Sequence, residues 1–154
     1  MTSDLRDLYQ ELILDHGRRP RNFGPLPDAT HEAIGHNPLC GDKIVVHLRL
    51  DGDTVDGISF EGQGCAISQA SASLLTEAVK GRKLSDAESL FRKLTALVTG
   101  RDEAVERENG VELGKLAVFE GVRHYPMRVK CATLAWHTLH NALAGKATEV
   151  AQTE

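Results

Sequence analysis

The sequence predicts an α+β fold, because its strand-like and helix-like stretches are segregated rather than alternating. Three observations carry this. Residues Lys43 to Leu50 repeat with a period of two, Ile44, Val46, Leu48 and Leu50 against Val45, His47 and Arg49. Asp51-Gly52-Asp53 then supplies a turn and the chain returns through Val55 to Glu61, an antiparallel hairpin. Stretches with apolar residues three and four apart stand before and after that hairpin.

The first helix carries Leu5, Leu8, Tyr9, Leu12 and Ile13 on one face, with Ser3 placed to cap its start and Gly17 and Pro20 placed to stop it. Arg18, Arg19 and Arg21 follow, where cations complement the helix dipole. They read as a solvated helix end, with a docking patch for an acidic partner as the second reading. Asn22 to Asp28, rich in Pro and Gly, is expected to cross in extended form, and Ala29 to His36 to form a short first strand. Gly57 inside the returning strand predicts a bulge or a close backbone approach.

Cys65 to Lys80 turns helical, with Ile67, Ala70, Leu74, Leu75 and Ala78 on one side and Gly81 at its end. Its small residues, Ala66, Ser68 and Ala70 to Ser73, predict close packing on the sheet. Ser85 and Glu88 have the spacing of a capping box for a third helix bearing Leu90, Phe91, Leu94, Leu97 and Val98, closed by Gly100. Arg101 to Gly110 holds six charged residues and reads as an exposed excursion. After a shorter apolar piece, Leu113 to Val122, Pro126 marks the first turn of a last helix in which Val129, Ala132, Trp136, Leu139 and Leu143 share a face. The polar tail, about 146–154, is expected to fray, leaving one domain over residues 1–154.

At 154 residues, 41% hydrophobic and 26% charged, the composition is that of one ordinary globular domain. A net charge of -4 and few aromatics (5%), not interleaved with basic residues, argue against nucleic acid. The absence of a long apolar run or leader-like start argues against a membrane. The reading is a cytoplasmic chain, where thiols serve metals or sulfur chemistry rather than disulfides.

The three cysteines then become informative through their settings. In Asn37-Pro38-Leu39-Cys40-Gly41-Asp42 a thiol and a carboxylate lie two residues apart around a Gly, so both can converge. Cys65 opens a helix, where the dipole and free amides favour the thiolate. Cys131 lies about one turn into the last helix. Because an antiparallel hairpin brings its open ends together, Cys40, Asp42 and Cys65 are expected to be neighbours. Three thiols and one carboxylate complete a tetrahedral metal site. With zinc such a site carries a formal charge of about -2, which Arg128 and Lys130 are placed to offset. Buried cysteines also pack as small hydrophobes, so the shared site rests on their settings and not on their number. Of the histidines, His36 is the best competing ligand, His16 serves a helix end, and His137 and His140 face water.

These residues resemble the SufU branch of the IscU-like iron-sulfur cluster assembly proteins. The resemblance is carried by Leu8-Tyr9 with Leu14-Asp15-His16 and Pro20-Arg21-Asn22, by Asn37 to Asp42, by Gly62-Gln63-Gly64-Cys65-Ala66-Ile67-Ser68, and by Arg128 to Trp136. It implies a small three-stranded antiparallel sheet packed with about five helices, and zinc held by Cys40, Asp42, Cys65 and Cys131. It further implies that a pyridoxal-phosphate-dependent cysteine desulfurase hands persulfide sulfur to Cys40, with Arg128 assisting. The sulfur then goes to a cluster scaffold or another acceptor. The related scaffold branch, on which a [2Fe-2S] cluster is assembled, has a His immediately before the third cysteine. Here that residue is Lys130, and Tyr125 to Val129 does not supply the Leu-Pro-Pro-Val-Lys segment of scaffolds. The resemblance therefore implies a zinc-dependent sulfurtransferase, with the scaffold as the alternative.

Overall fold

A computed structural model describes residues 2–37, 41–99, 116, 118–119, 122, 124–143 and 150–152. The expectations for Cys40, for Gly100 and for the charged excursion at 101–110 lie outside the described residues. The period-two stretches form β2 (Asp42–Asp51) and β3 (Thr54–Gln63), antiparallel with Lys43 opposite Gln63 and Val46 opposite Phe60. On the other side of β2 lies β1 (His31–Asn37), antiparallel with Ala33 opposite Val46. The chain has the α+β architecture, three antiparallel strands with helices packed on them.

Four helices are seen among the described residues, against about five expected: α1 (Thr2–Arg18), α2 (Ala66–Val79), α3 (Leu84–Thr99) and α4 (Pro126–Leu143). A short strand β4 (Val150–Gln152) runs parallel to β1 and extends the sheet order to β3-β2-β1-β4. It falls in the tail expected to fray; strand pairing uses main-chain groups, which a polar side-chain pattern does not report. Among the described residues, no helix is long and apolar enough to cross a membrane.

One face of the sheet presents Ile44, Val46, Leu48, Ile58 and Phe60 to Leu74 and Leu75 of α2 and to Leu134, Trp136 and Leu139 of α4, all buried in one core. Each such side chain contributes roughly 1.5–3 kcal/mol on burial, so alternation in β2 decides which face meets the helices. Contact is closest at Gly35, where any Cβ would overlap Thr138 Oγ1, so α4 lies directly on the backbone of β1. Of the small residues expected to pack on the sheet, Ser68 and Ala70 to Ser73 are buried but Ala66 is exposed, and Ser71 and Ser73 hydrogen-bond to α4 and α1. Among them, Ser71 donates its hydroxyl proton to the carbonyl of Ala132 and ties α2 to the second turn of α4.

Gly57 lies at the predicted bulge: the register shifts between Arg49 and Leu50, Gly57 faces Arg49, and the guanidinium covers it. The outer edge of β3 is occupied twice. Phe60 donates to Asn22 (3.0 Å) and accepts from Gly24 (2.9 Å), while Val55 donates to Arg82 (2.8 Å) and Leu84 to Asp53 (2.8 Å).

Several local expectations are corrected. Ser85 and Glu88 do not cap α3: the helix starts at Leu84, whose amide pairs with Asp53, two residues before the start that a Ser85 cap would give. Ser85 therefore falls inside the first turn, and Glu88 reaches His140 Nδ1 at 3.2 Å. His16 lies in the last turn of α1 as expected, and α2 encloses its ring there. It is buried, with Nδ1 2.7 Å from Ser73 Oγ and Nε2 3.4 Å from Glu77. His140 is exposed as expected, but its ring stacks on Phe91, and His137 meets the same ring edge-on and is half-buried. His47, on the outward row of β2, is covered by Glu32 (2.8 Å) and Glu61 (2.9 Å).

Candidate metal centre

Hairpin closure, the start of α2 and the first turns of α4 converge on three donor groups. Asp42 opens β2, Cys65 follows β3, and Cys131 is carried in from α4. The two helices are held in place by the Ser71–Ala132 hydrogen bond and by α4 resting on Gly35. One ligand atom from each of Asp42, Cys65 and Cys131 lies within 4.8 Å of the other two. Tetrahedral ligands about 2.0–2.3 Å from zinc stand roughly 3.3–3.8 Å apart, so small side-chain movements suffice to close the set on one ion.

The site is asymmetric. Asp42 and Cys131 are buried, 1% and 4% exposed, whereas Cys65 opens to solvent. Cys65 is the N-cap of α2, with extended backbone, and its Sγ accepts from the Ser68 amide at 3.4 Å. Its own N–H donates to Asp42 Oδ1 at 2.9 Å, and its sulfur stands 3.8 Å from Oδ2. The Cys131 thiol donates toward Cys65, and this, with the amides of Ser68 and Ile67, lowers the Cys65 pKa to about 6 against the opposing effects of burial and Asp42. Cys131 is pushed far up, first because its proton is held by Cys65, then by burial and by Asp42. Before metal binds, the pair is thus one thiolate and one thiol, and a cation must displace the Cys131 proton.

Sulfur and carboxylate donors in this number suit zinc, and thiolates equally suit an iron-sulfur cluster. Of the four ligands expected from the sequence, the structure brings together Asp42, Cys65 and Cys131, while Cys40 lies outside the described residues. Arg128 is exposed on the first turn of α4, its guanidinium 5.9 Å from the centre of the Tyr125 ring, and Lys130 is half-buried beside Cys131. His36, the competing histidine, is not among the converging donors. Gly64, a motif residue to which the sequence alone assigns no role, lies against the Asp42 carboxylate, so close that a Cβ there would overlap it.

The chain is an α+β domain in which two cysteines and an aspartate that could hold a metal ion gather where a hairpin closes on two helices. The chain belongs to the family of NifU-like N terminal domains, which matches residues 8–145. It is 39% identical over 142 residues to the zinc-dependent sulfurtransferase SufU of Bacillus subtilis (strain 168), covering 92% of this chain and 93% of that protein. It is 37% identical over 141 residues to the iron-sulfur cluster assembly scaffold protein IscU of Streptococcus pyogenes serotype M1, covering 92% and 86%. The crystal structure of FiSufU, named as an iron-sulfur cluster assembly scaffold protein for the SUF system of Fervidobacterium islandicum AW-1, superimposes with a TM-score of 0.78 at 36% identity, covering 86% of this chain and 94% of that one.

Proposed function

We propose that this protein acts in iron-sulfur cluster assembly as a zinc-dependent sulfurtransferase that accepts persulfide sulfur on Cys40 from a pyridoxal-phosphate-dependent cysteine desulfurase. The observation that carries the reading is the gathering of Asp42, Cys65 and Cys131. With three donors drawn from those residues, committing Cys40 to sulfur chemistry does not empty the site. Zinc, when bound by these residues and Cys40, keeps their thiols in the thiolate form.

In the transfer itself the Cys40 thiolate attacks the outer sulfur of the desulfurase persulfide. A new S–S bond forms on Cys40, the desulfurase S–S bond breaks, and the desulfurase cysteine leaves as a thiolate, so no external oxidant or reductant is consumed. Arg128, exposed at the start of α4, supplies positive charge for docking of the anionic persulfide. A reducing cytoplasm is the compartment in which such thiols persist. Lys130, in the place where the resembling scaffold branch has His, favours sulfur transfer over cluster building, as does the likeness to the Bacillus subtilis sulfurtransferase.

The test is elemental analysis of anaerobically purified protein, followed by incubation with a cysteine desulfurase, pyridoxal phosphate and cysteine, and intact mass before and after. About one zinc per chain and a gain of one sulfur, lost in Cys40→Ala, is the expected result. Iron with acid-labile sulfide in place of zinc would instead establish the scaffold function carried by the Streptococcus pyogenes relative's name.

A further inference from the structure

Gly64 precedes Cys65 in a position where nothing about the backbone calls for glycine. Among the described glycines with left-handed φ are Gly41 (75°) and Gly62 (145°), but not Gly64. What singles it out is space. A Cβ at residue 64 would lie 2.5 Å from Asp42 Oδ1, 2.9 Å from its Cγ and 3.1 Å from its Cβ. Because three atoms of the same side chain are crowded and Asp42 is 1% exposed, the carboxylate could not stay where it is, nor turn freely into water.

Its present position divides its two oxygens. Oδ1 accepts from the Cys65 N–H at 2.9 Å, while Oδ2 faces the sulfur of Cys65 at 3.8 Å. We propose that Gly64 is a positioning residue for the metal centre: by lacking a side chain it lets Asp42 lodge against the start of α2, with Oδ1 committed to the Cys65 amide and Oδ2 alone offered to the ion. This inference rests on the metal-binding reading of the site. The same amide that orients the carboxylate belongs to a thiolate ligand, so two of the donors are locked to one another before the ion arrives. Preorganised outer contacts of this kind commonly govern affinity.

The experiment measures zinc affinity by competition with a chromophoric chelator, and the cobalt(II) spectrum, for the unchanged protein, Gly64→Ala and Asp42→Asn, alongside thermal unfolding of each without metal. Alanine carries little backbone penalty at a residue outside the left-handed region. Gly64→Ala is therefore expected to remain folded, with its unfolding temperature lowered only by the hydrogen bond that Asp42 gives up at the Cys65 amide, yet to bind zinc roughly 10–100-fold more weakly. Its cobalt thiolate bands should remain while the ligand-field bands shift. Asp42→Asn, which keeps an oxygen for the Cys65 amide and turns its NH2 toward the thiols, should lose at least as much affinity. If the unchanged protein binds zinc and Gly64→Ala binds it equally well, this proposal falls while the metal centre stands. Equal binding by Asp42→Asn removes Oδ2 as the donor and overturns it too. No zinc uptake by the unchanged protein overturns the metal reading itself, and the proposal with it.

Discussion

Two polar clusters lie along α2, and they are built on opposite principles. About two turns in from its start, Ser73 accepts from the Arg21 amide (2.8 Å) and meets His16 Nδ1 (2.7 Å), Asn22 donates to Thr76 (3.0 Å), and Thr76 donates to the Ser73 carbonyl (2.7 Å). Donors there meet acceptors, and the seam between α1 and α2 is closed on itself. At the start of α2, by contrast, a carboxylate and two sulfurs face one another, with the amides of Cys65 and Ser68 and the Cys131 thiol proton as donors. Once both thiols ionise, the acceptors outnumber the donors in a small volume, which is costly unless a cation completes it. Burial of polar groups alone does not mark a functional site; the imbalance of donors and acceptors does.

That contrast is tested most severely by Cys131→Ala. On the proposed zinc reading Cys131 is a direct ligand, and its loss should lower zinc affinity more than the roughly 10–100-fold typical of outer contacts, as chelator competition measures. In the metal-free protein the same substitution removes the first cause of the low Cys65 pKa, so that pKa should climb from about 6 toward the ordinary thiol range. Iodoacetamide labelling of Cys65 against pH, followed by peptide mapping, reads the midpoint; a midpoint still near 6 would assign the effect to the helix start alone. Stability follows the same pair. Between pH about 6 and the ordinary thiol value the unfolded chain binds more protons at Cys65 than the folded one, so metal-free stability rises with pH. Above the ordinary value Cys131 keeps its proton in the folded chain and loses it when unfolded, so stability then falls.

His16→Ala probes the closed seam. It empties a buried position and deprives Ser73 and Glu77 of a partner, which should cost about 2–3 kcal/mol and roughly 5–10 °C in Tm. Zinc affinity should stay within about threefold of the unchanged protein, a range too small to reflect a lost ligand contact. A collapse of affinity would show the two clusters to be one device, coupled through Gly17, which lies against Ala66 at the first turn of α2. The smallest effect is expected from Arg21→Ala. The Arg21 side chain pairs with Asp15 at 2.6 Å and holds that carboxyl below its usual range, but Asp15 is open to water. The seam uses the backbone amide of Arg21, which the substitution leaves in place. Tm should move by no more than about 2 °C, and a larger drop would assign the side chain a part in the seam.

Where the sequence was legible, local patterns and short-range closure were enough. The alternation around Ile44, Val46 and Leu48 announced the sheet face, and hairpin geometry alone predicted that Asp42 and Cys65 meet. Cys131 was harder, since no local rule says where the start of α4 lands; its inclusion rested on its setting near a helix start as well as on resemblance, and the fold achieves it through Gly35 and Ser71. His16 stands at the end of α1 as its spacing suggested, but its burial against Ser73 was not legible, because that partner is 57 residues away. Ser85 failed for a similar reason: main-chain pairing between Leu84 and Asp53 outweighed a side-chain cap. Gly64 carries a message that only three dimensions spell out, since its glycine serves the side chain of a residue on another strand.

The occupied rim of β3 has a consequence for how these molecules meet one another. A strand with bare amides and carbonyls is a template for strand addition, domain swapping and fibril growth. Here Asn22 and Gly24 take up Phe60, and Arg82 and Leu84 take up Val55 and Asp53, so non-strand segments of the same chain fill those valences. Self-association by continuous sheet growth past β3 is blocked at both places.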